Sequence, residues 1–250
     1  MSAGTARRTP RLPAPPAPRR DWAYFFDVDG TLIELADTPG GVRVSAELRL
    51  LLERLYEDAG GAVALISGRP INDIDTLFPH VRMPVAGQHG VERRNAAGVV
   101  TRHDFPAERF ERARHRLADA VNGKPGLLLE YKGLSLALHY RRAPRLAGYA
   151  HRLARSMLPV LGREFCIQRG KRVVEMKPAG KDKGVGVLEF MQESPFQGRT
   201  AVFVGDDATD EYGFATVNRL GGHSVKVGPG RTAARFRLRD VLAVQQWLSQ

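Results

Sequence analysis

An apolar run that ends in paired acids constrains this chain more than any other stretch. In "WAYFFDVDGTLIEL", residues 22–35, an aromatic-rich segment leads straight into Asp27 and Asp29, followed by Gly30 and Thr31. The run reads as a buried strand, and charge beside a buried strand is costly unless something neutralises it. Asp27 and Asp29 fall at the carboxyl end of that strand. Being two apart, they can point to the same side while the chain is still extended.

The same arrangement recurs. "SAELRLLLERLYEDA" (45–59) has apolar residues at helical spacing, with Ser45 as N-cap and Gly60-Gly61 as the stop. "AVALISG" (62–68) reads as a second buried strand, "PINDIDTLFP" as a short helix opening at Pro70, and "MPVAGQHGVERR" as a strand and then a loop. Late in the chain "GKDKGVGVLEFMQES" reads as a helix, "TAVFVGDD" (200–207) as a buried strand and "SVKVG" (224–228) as a short strand. This alternation predicts an α/β fold with a Rossmann-like parallel sheet and right-handed crossovers.

Residues 103–178 change character. Two helical patterns, "RFERARHRLADAV" and "LAGYAHRLARSMLPVL", accompany two strands that meet at Gly133 and a hairpin that turns at Gly170-Lys171. They predict a small α+β cap domain inserted between the core segments 21–102 and 179–250. Residues 1–20, with five Arg, five Pro and no acid, read as a disordered tail. Of the net charge of +11, the tail contributes +5, the first core segment −4, the cap +9 and the last segment +1. A nucleic-acid binder can carry charge this way, and so can a lid that captures a small anion. Against nucleic acid, the basic residues of the cap are interleaved with Glu130 and Glu175, and stacking aromatics are sparse. A single cysteine, Cys166, fits a reducing compartment, and the chain has neither a run of about 18 apolar residues nor a secretory h-region. The expectation is a cytoplasmic monomer that binds neither membrane nor nucleic acid.

In an open parallel sheet, ligands bind beyond the carboxyl ends of the strands. Three strand ends carry polar groups to that rim: Asp27 and Asp29, then Ser67-Gly68-Arg69, then Asp206 and Asp207 with Asp210 one turn further on. Each is ambiguous alone, since a DxD pair can be a turn, "SGR" a loop and "DDATDE" a helix cap. Together, each directly after an apolar strand, they indicate a shared site. Clustered carboxylates repel unless protonated or bound to a cation, and an oxygen-rich set poor in His and Cys suits Mg²⁺.

The order "DVDGT", "SGR", a "KG" lysine and "GDDATD" resembles the four motifs of the haloacid dehalogenase-like phosphohydrolases. The insert lies where that superfamily places a C2-type cap. More narrowly, "AGQHGVERR", "LEYKGLSLALHYR", "VVEMKPAGKDKG" and "VFVGDDATDEYGF" resemble trehalose-6-phosphate phosphatases over roughly residues 22–248. Gln88 stands where that family commonly carries an acid.

The resemblance implies Mg²⁺-dependent hydrolysis of trehalose 6-phosphate, with another sugar phosphate, such as sucrose or glucosylglycerol phosphate, as the alternative. It implies Asp27 as nucleophile, forming an aspartyl-phosphate, and Asp29 as the acid that protonates the departing oxygen. Mg²⁺ would be held by Asp27, the main chain of Asp29 and Asp206, with Asp207 and Asp210 orienting that shell. Thr31, Ser67, Gly68 and Arg69 would meet the phosphate, and Lys183 would supply positive charge, with Lys177 second in line. Glu130, Lys132, Arg141, Lys171 and Glu175 would form the sugar site of the cap, and His89 and Arg93 would face the sugar from the core.

Overall fold

The computed structural model describes residues 12–35, 43–79, 82–104, 106–170 and 172–250. The chain runs β1 (Trp22–Phe26), α1 (Ala46–Asp58), β2 (Val63–Ile66), α2 (Ile71–Leu77), β3 (Val85–Gly87), β4 (Glu92–Arg94) and β5 (Val100–Arg102). It continues through α3 (Ala107–Val121), β6 (Leu128–Tyr131), β7 (Leu136–His139), α4 (Ala147–Leu161), β8 (Phe165–Gly170) and β9 (Val173–Pro178). It ends with α5 (Lys183–Met191), β10 (Thr200–Gly205), α6 (Asp210–Arg219), β11 (His223–Val227), β12 (Phe236–Leu238) and α7 (Val241–Leu248).

One sheet has the order β12-β11-β10-β1-β2-β3-β4-β5, parallel from β12 to β3. Every residue of β1 and of β2 is buried, as expected of strands covered on both faces. The chain leaves β1 toward β2 on one side and returns through β10 on the other. The strand order therefore reverses at β1, and a crevice opens at the carboxyl ends of β1 and β10. Phe25, Phe190 and Phe196 pack together beneath this crevice. Ser45 caps α1, its Oγ accepting from Leu48 N at 3.2 Å, and Asp182 caps α5, accepting from Val185 N at 2.9 Å.

The second sheet, β6-β7-β9-β8, is antiparallel. Its alternation is strict. Leu136, Leu138, Val174 and Met176 join Phe110, Leu117, Ala150 and Ala154 of α3 and α4 in a separate core, while the intervening residues face away from these helices. The cap thus has a hydrophobic centre of its own and presents a polar sheet face.

Three features differ from the sequence reading. The stretch after β3 is not a loop: β4 and β5 form an antiparallel hairpin that extends the large sheet. The C-terminal segment adds β12 and α7. Residues 12–20, read as part of a disordered tail, lie against the core. Trp247 Nε1 donates to Pro16 O at 2.7 Å, Arg237 N to Pro13 O at 2.9 Å, and Pro15 is buried. Proline carbonyls still accept hydrogen bonds, so a Pro-rich segment can be ordered by donors on a neighbouring surface. Residues 1–11 lie outside the described residues. Among the described residues no helix is long and apolar enough to cross a membrane.

Candidate active site

The crevice gathers the acids of the first and last motifs. Asp27 follows β1 directly and is tied to β10 by its N–H, which donates to Val204 O at 2.9 Å. Lys183, at the first position of α5, is buried and places Nζ 2.8 Å from Asp27 Oδ1 and 2.6 Å from Asp210 Oδ1. Asp210 Oδ2 accepts from Asp207 N at 2.8 Å, and Asp207 Oδ1 accepts from the N–H and hydroxyl of Thr209. These bonds turn the Asp207 carboxylate toward its own loop.

One carboxylate oxygen from each of Asp27, Asp206 and Asp210 lies within 4.8 Å of the others. Asp206 Oδ1 and Thr31 Oγ1 are buried with no hydrogen-bond partner among the described residues. Gly30 holds a positive φ of 83°, and a Cβ there would collide with the Asp206 carboxylate. Only glycine allows the two motif loops to approach so closely.

The electrostatics fit a site built around a cation. Burial pushes Asp27 well above the ordinary carboxylate range; Lys183 pulls it back, and Asp210 and Asp206 push it further up. Burial, with Asp210 and Asp207, raises Asp206 to about 6. Burial disfavours the Lys183 ammonium, but Asp210 and Asp27 outweigh that and keep it protonated. Orphaned carboxylate oxygen, mutual repulsion and an all-oxygen donor set together suit a divalent cation of the hard class.

Asp29 and Arg69 form a second unit. Arg69 Nε and Nη2 each donate to one oxygen of Asp29 at 2.6 Å, and both residues line the cavity. Ser67 Oγ accepts from Arg69 N at 3.1 Å and is buried. Gly68 lies so close to His89 that a Cβ would sit 2.8 Å from Nε2. Thr31 and Ser67 lie beneath the site rather than on its surface.

A cavity of about 500 Å³ extends from Asp27, Asp29, Lys183 and Asp206 to the polar face of the cap. Glu130, Lys132, Arg141 and Glu175 line it there, with His89 on the core side. Glu175 is buried; Ser135 Oγ donates to it at 2.6 Å, Lys132 Nζ lies 3.6 Å away and His89 Nε2 3.4 Å away. Burial would raise Glu175, but Lys132, His89 and Ser135 prevail and hold it below the usual carboxylate range. Burial lowers His89 further than Glu175 raises it.

Arg93 requires a correction. It lies on β4 but is not brought to the cavity. Its guanidinium stacks 4.1 Å over Phe190 and pairs with Glu193 at 2.5 Å. Lys177, the second choice for the lysine role, is buried and donates to Lys181 O, away from the acids. Lys171 lies outside the described residues. The sequence reading also missed members of the site. His139 Nε2 lies 2.6 Å from Glu130 Oε2 and lines the cavity, as does Gln168. Gln88 Oε1 accepts from Leu134 N at 3.3 Å, joining core to cap, and lies 3.4 Å from Ser135 Oγ, whose one hydrogen goes to Glu175.

A parallel α/β sheet with acids at its switch point, a buried lysine and an antiparallel cap sheet is the fold of solved proteins of the haloacid dehalogenase-like class. Residues 25–241 match the sequence profile of the trehalose-phosphatase family. The chain belongs to that family and is a phosphatase. It is 44% identical to the trehalose-6-phosphate phosphatase of Escherichia coli (strain K12), over 91% of this chain and 85% of the relative. It is also 44% identical to a probable trehalose-phosphate phosphatase of Sinorhizobium fredii, over 84% and 78%. The C-terminal domain of the Candida albicans trehalose-6-phosphate phosphatase shares the fold, with a TM-score of 0.81 at 21% identity, covering 95% of this chain and 97% of that one.

Proposed function

We propose that this enzyme hydrolyses trehalose 6-phosphate to trehalose and phosphate in the cytoplasm, in the biosynthesis of trehalose, through an aspartyl-phosphate on Asp27. The observation that carries the reading is one cavity with an acid–lysine cluster at one end and the Glu130, Lys132 and Glu175 face of the cap at the other. Sugar hydroxyls donate and accept together, so a face that mixes carboxylates and ammonium matches them better than bare positive charge does.

Asp27, with one oxygen on Lys183, uses the other to attack phosphorus. The bond from phosphorus to the sugar oxygen breaks as Asp29 delivers a proton to that oxygen. Asp29 must first release Arg69, to which the arriving phosphate offers an alternative anion, and take up a proton from the phosphate or from water. Once the sugar has left, Asp29 accepts a proton from water as the water attacks phosphorus. Phosphate departs, and the Asp27 carboxylate is restored. Lys183 stays charged throughout. Mg²⁺, held by Asp27, the main-chain carbonyl of Asp29 and Asp206, with Asp207 and Asp210 beside them, would mask the charge of the phosphate.

The decisive experiment is phosphate release from trehalose 6-phosphate beside glucose 6-phosphate, sucrose 6-phosphate and p-nitrophenyl phosphate, with and without Mg²⁺. The highest kcat/KM is expected for trehalose 6-phosphate. Equal kcat/KM across the panel would reduce the reading to an unspecialised phosphatase.

A further inference from the structure

The cap's polar face is ordered in cross-strand rungs, and one rung is longer than the residues singled out so far. Glu130 of β6 pairs with Ala137 of β7, Ala137 with Glu175 of β9, and Glu175 with Gln168 of β8. Directly paired residues of antiparallel strands share a face. All four therefore face the same way, with Ala137 as a small, fully buried floor between the carboxylates. Gln168 lines the cavity, whereas its neighbour Ile167 points to the opposite face and packs on the cap's hydrophobic core. Among the described residues the Gln168 amide has no hydrogen-bond partner. Glu175, by contrast, is held by Ser135, Lys132 and His89, and Glu130 by His139.

We propose that Gln168 is a specificity-determining residue that reads hydroxyl groups of the sugar ring remote from the phosphate, with His139 as the positioning residue that holds Glu130 beside it. The chemistry is complementary. A carboxylate accepts only and an ammonium donates only, but a primary amide does both and is neutral. Adjacent ring hydroxyls present a donor and an acceptor side by side, which a single amide satisfies at little desolvation cost. His139 lies on the next rung, paired with Leu128. Its Nε2 meets a carboxylate that cannot donate, so Nε2 carries the proton and the imidazole acts as a fixed donor to Glu130.

This inference rests on the disaccharide-phosphate reading, and the test separates the two. Wild type, Gln168→Ala, Gln168→Glu, His139→Ala and His139→Gln are compared on trehalose 6-phosphate and p-nitrophenyl phosphate, with trehalose as a competitive inhibitor. Gln168→Ala should lower kcat/KM for the disaccharide phosphate about 3- to 10-fold, the range of one neutral hydrogen bond, and weaken trehalose inhibition by a similar factor. Turnover of p-nitrophenyl phosphate should change less than about 2-fold. Gln168→Glu keeps the size and loses the donor, so it should show the same selective loss even if the alanine variant folds poorly. His139→Ala should share the phenotype, and His139→Gln, which retains a donor for Glu130, should recover most of it. Equal loss on both substrates, or unchanged trehalose inhibition, would overturn the role of Gln168. A wild type without preference for the disaccharide phosphate would instead remove the functional reading beneath it.

Discussion

The Lys183 ammonium sits 2.8 Å from Asp27 Oδ1, both groups buried, with Asp210 on the other side of the nitrogen at 2.6 Å. This bridge makes the two partners unequal under mutation. In Asp27→Asn the ammonium keeps Asp210, and one of three mutually repelling acids is gone. The metal-free protein should keep its fold, with a Tm no lower than wild type, while turnover falls about 10³-fold or more. Burst phosphorylation in that variant would remove Asp27 from the nucleophile role. In Lys183→Ala, Asp27 and Asp210 lose the ammonium that bridges them, and breaking a buried pair in this way costs about 3–5 kcal/mol. Thermal melts of the two metal-free variants should therefore move in different directions.

Activity should vanish on chelation and return with Mg²⁺. Mn²⁺ and Co²⁺ should restore part of it, because both accept oxygen ligands. Asp206→Asn should raise the Mg²⁺ concentration needed for half-maximal activity. A chelated, metal-free preparation with full turnover would dismiss the site formed by Asp27 and Asp206.

The raised Asp206 gives a pH dependence of definite sign. Its value rises from 3.8 to about 6 in the folded, metal-free protein. In that window the folded state binds more protons at Asp206 than the unfolded chain does. Its stabilising contribution is complete below the lower value and is lost as the pH rises through the upper one. Asp206→Asn should therefore gain Tm relative to metal-free wild type on going from about pH 4 to about pH 7. A cation requires the ionised acid, so the Mg²⁺-induced rise in wild-type Tm should be larger at about pH 7 than at about pH 5. A difference between variant and wild type that stays flat with pH would show that Asp206 does not titrate there.

On the cap, Lys132→Ala and Glu175→Ala should each cost about 1.5–3 kcal/mol on trehalose 6-phosphate, roughly 10- to 150-fold in kcat/KM. p-Nitrophenyl phosphate, which has no second ring, should barely respond. Parallel losses on both substrates would mean that these side chains shape the cavity without reading sugar.

The acidic rim was legible because each of its three strand-end motifs directly follows an apolar strand, and burial of the strand fixes where its last residues point. Asp27, Asp29, Arg69, Asp206 and Asp210 are brought together on that ground, whereas Lys183 opens a helix and was reached only through the family resemblance. Arg93 was misplaced because its guanidinium is taken up by Glu193 and Phe190, about 100 residues away in the sequence, instead of reaching the cavity. The β4–β5 hairpin was hidden because its outer strand is exposed at all three positions and shows no apolar pattern. The order of residues 12–20 depends on donors supplied by Arg237 and Trp247, more than 200 residues away along the sequence. No local window contains that information.

The contacts between cap and core have a consequence for selectivity. Lys132 Nζ donates to Gly68 O at 3.2 Å, and Leu134 N and Ser135 Oγ reach Gln88. The charged groups that would greet a sugar, Glu130, Lys132 and Glu175, are thus already engaged with the protein. A ligand that enters exchanges partners with these side chains instead of supplying the first ones, so its affinity reflects a difference between two hydrogen-bonded networks. A sugar that reproduces the displaced geometry settles at almost no cost, while one with a single inverted hydroxyl leaves a buried charge without its former partner. Discrimination in such a chamber comes mainly from penalising the wrong stereoisomer.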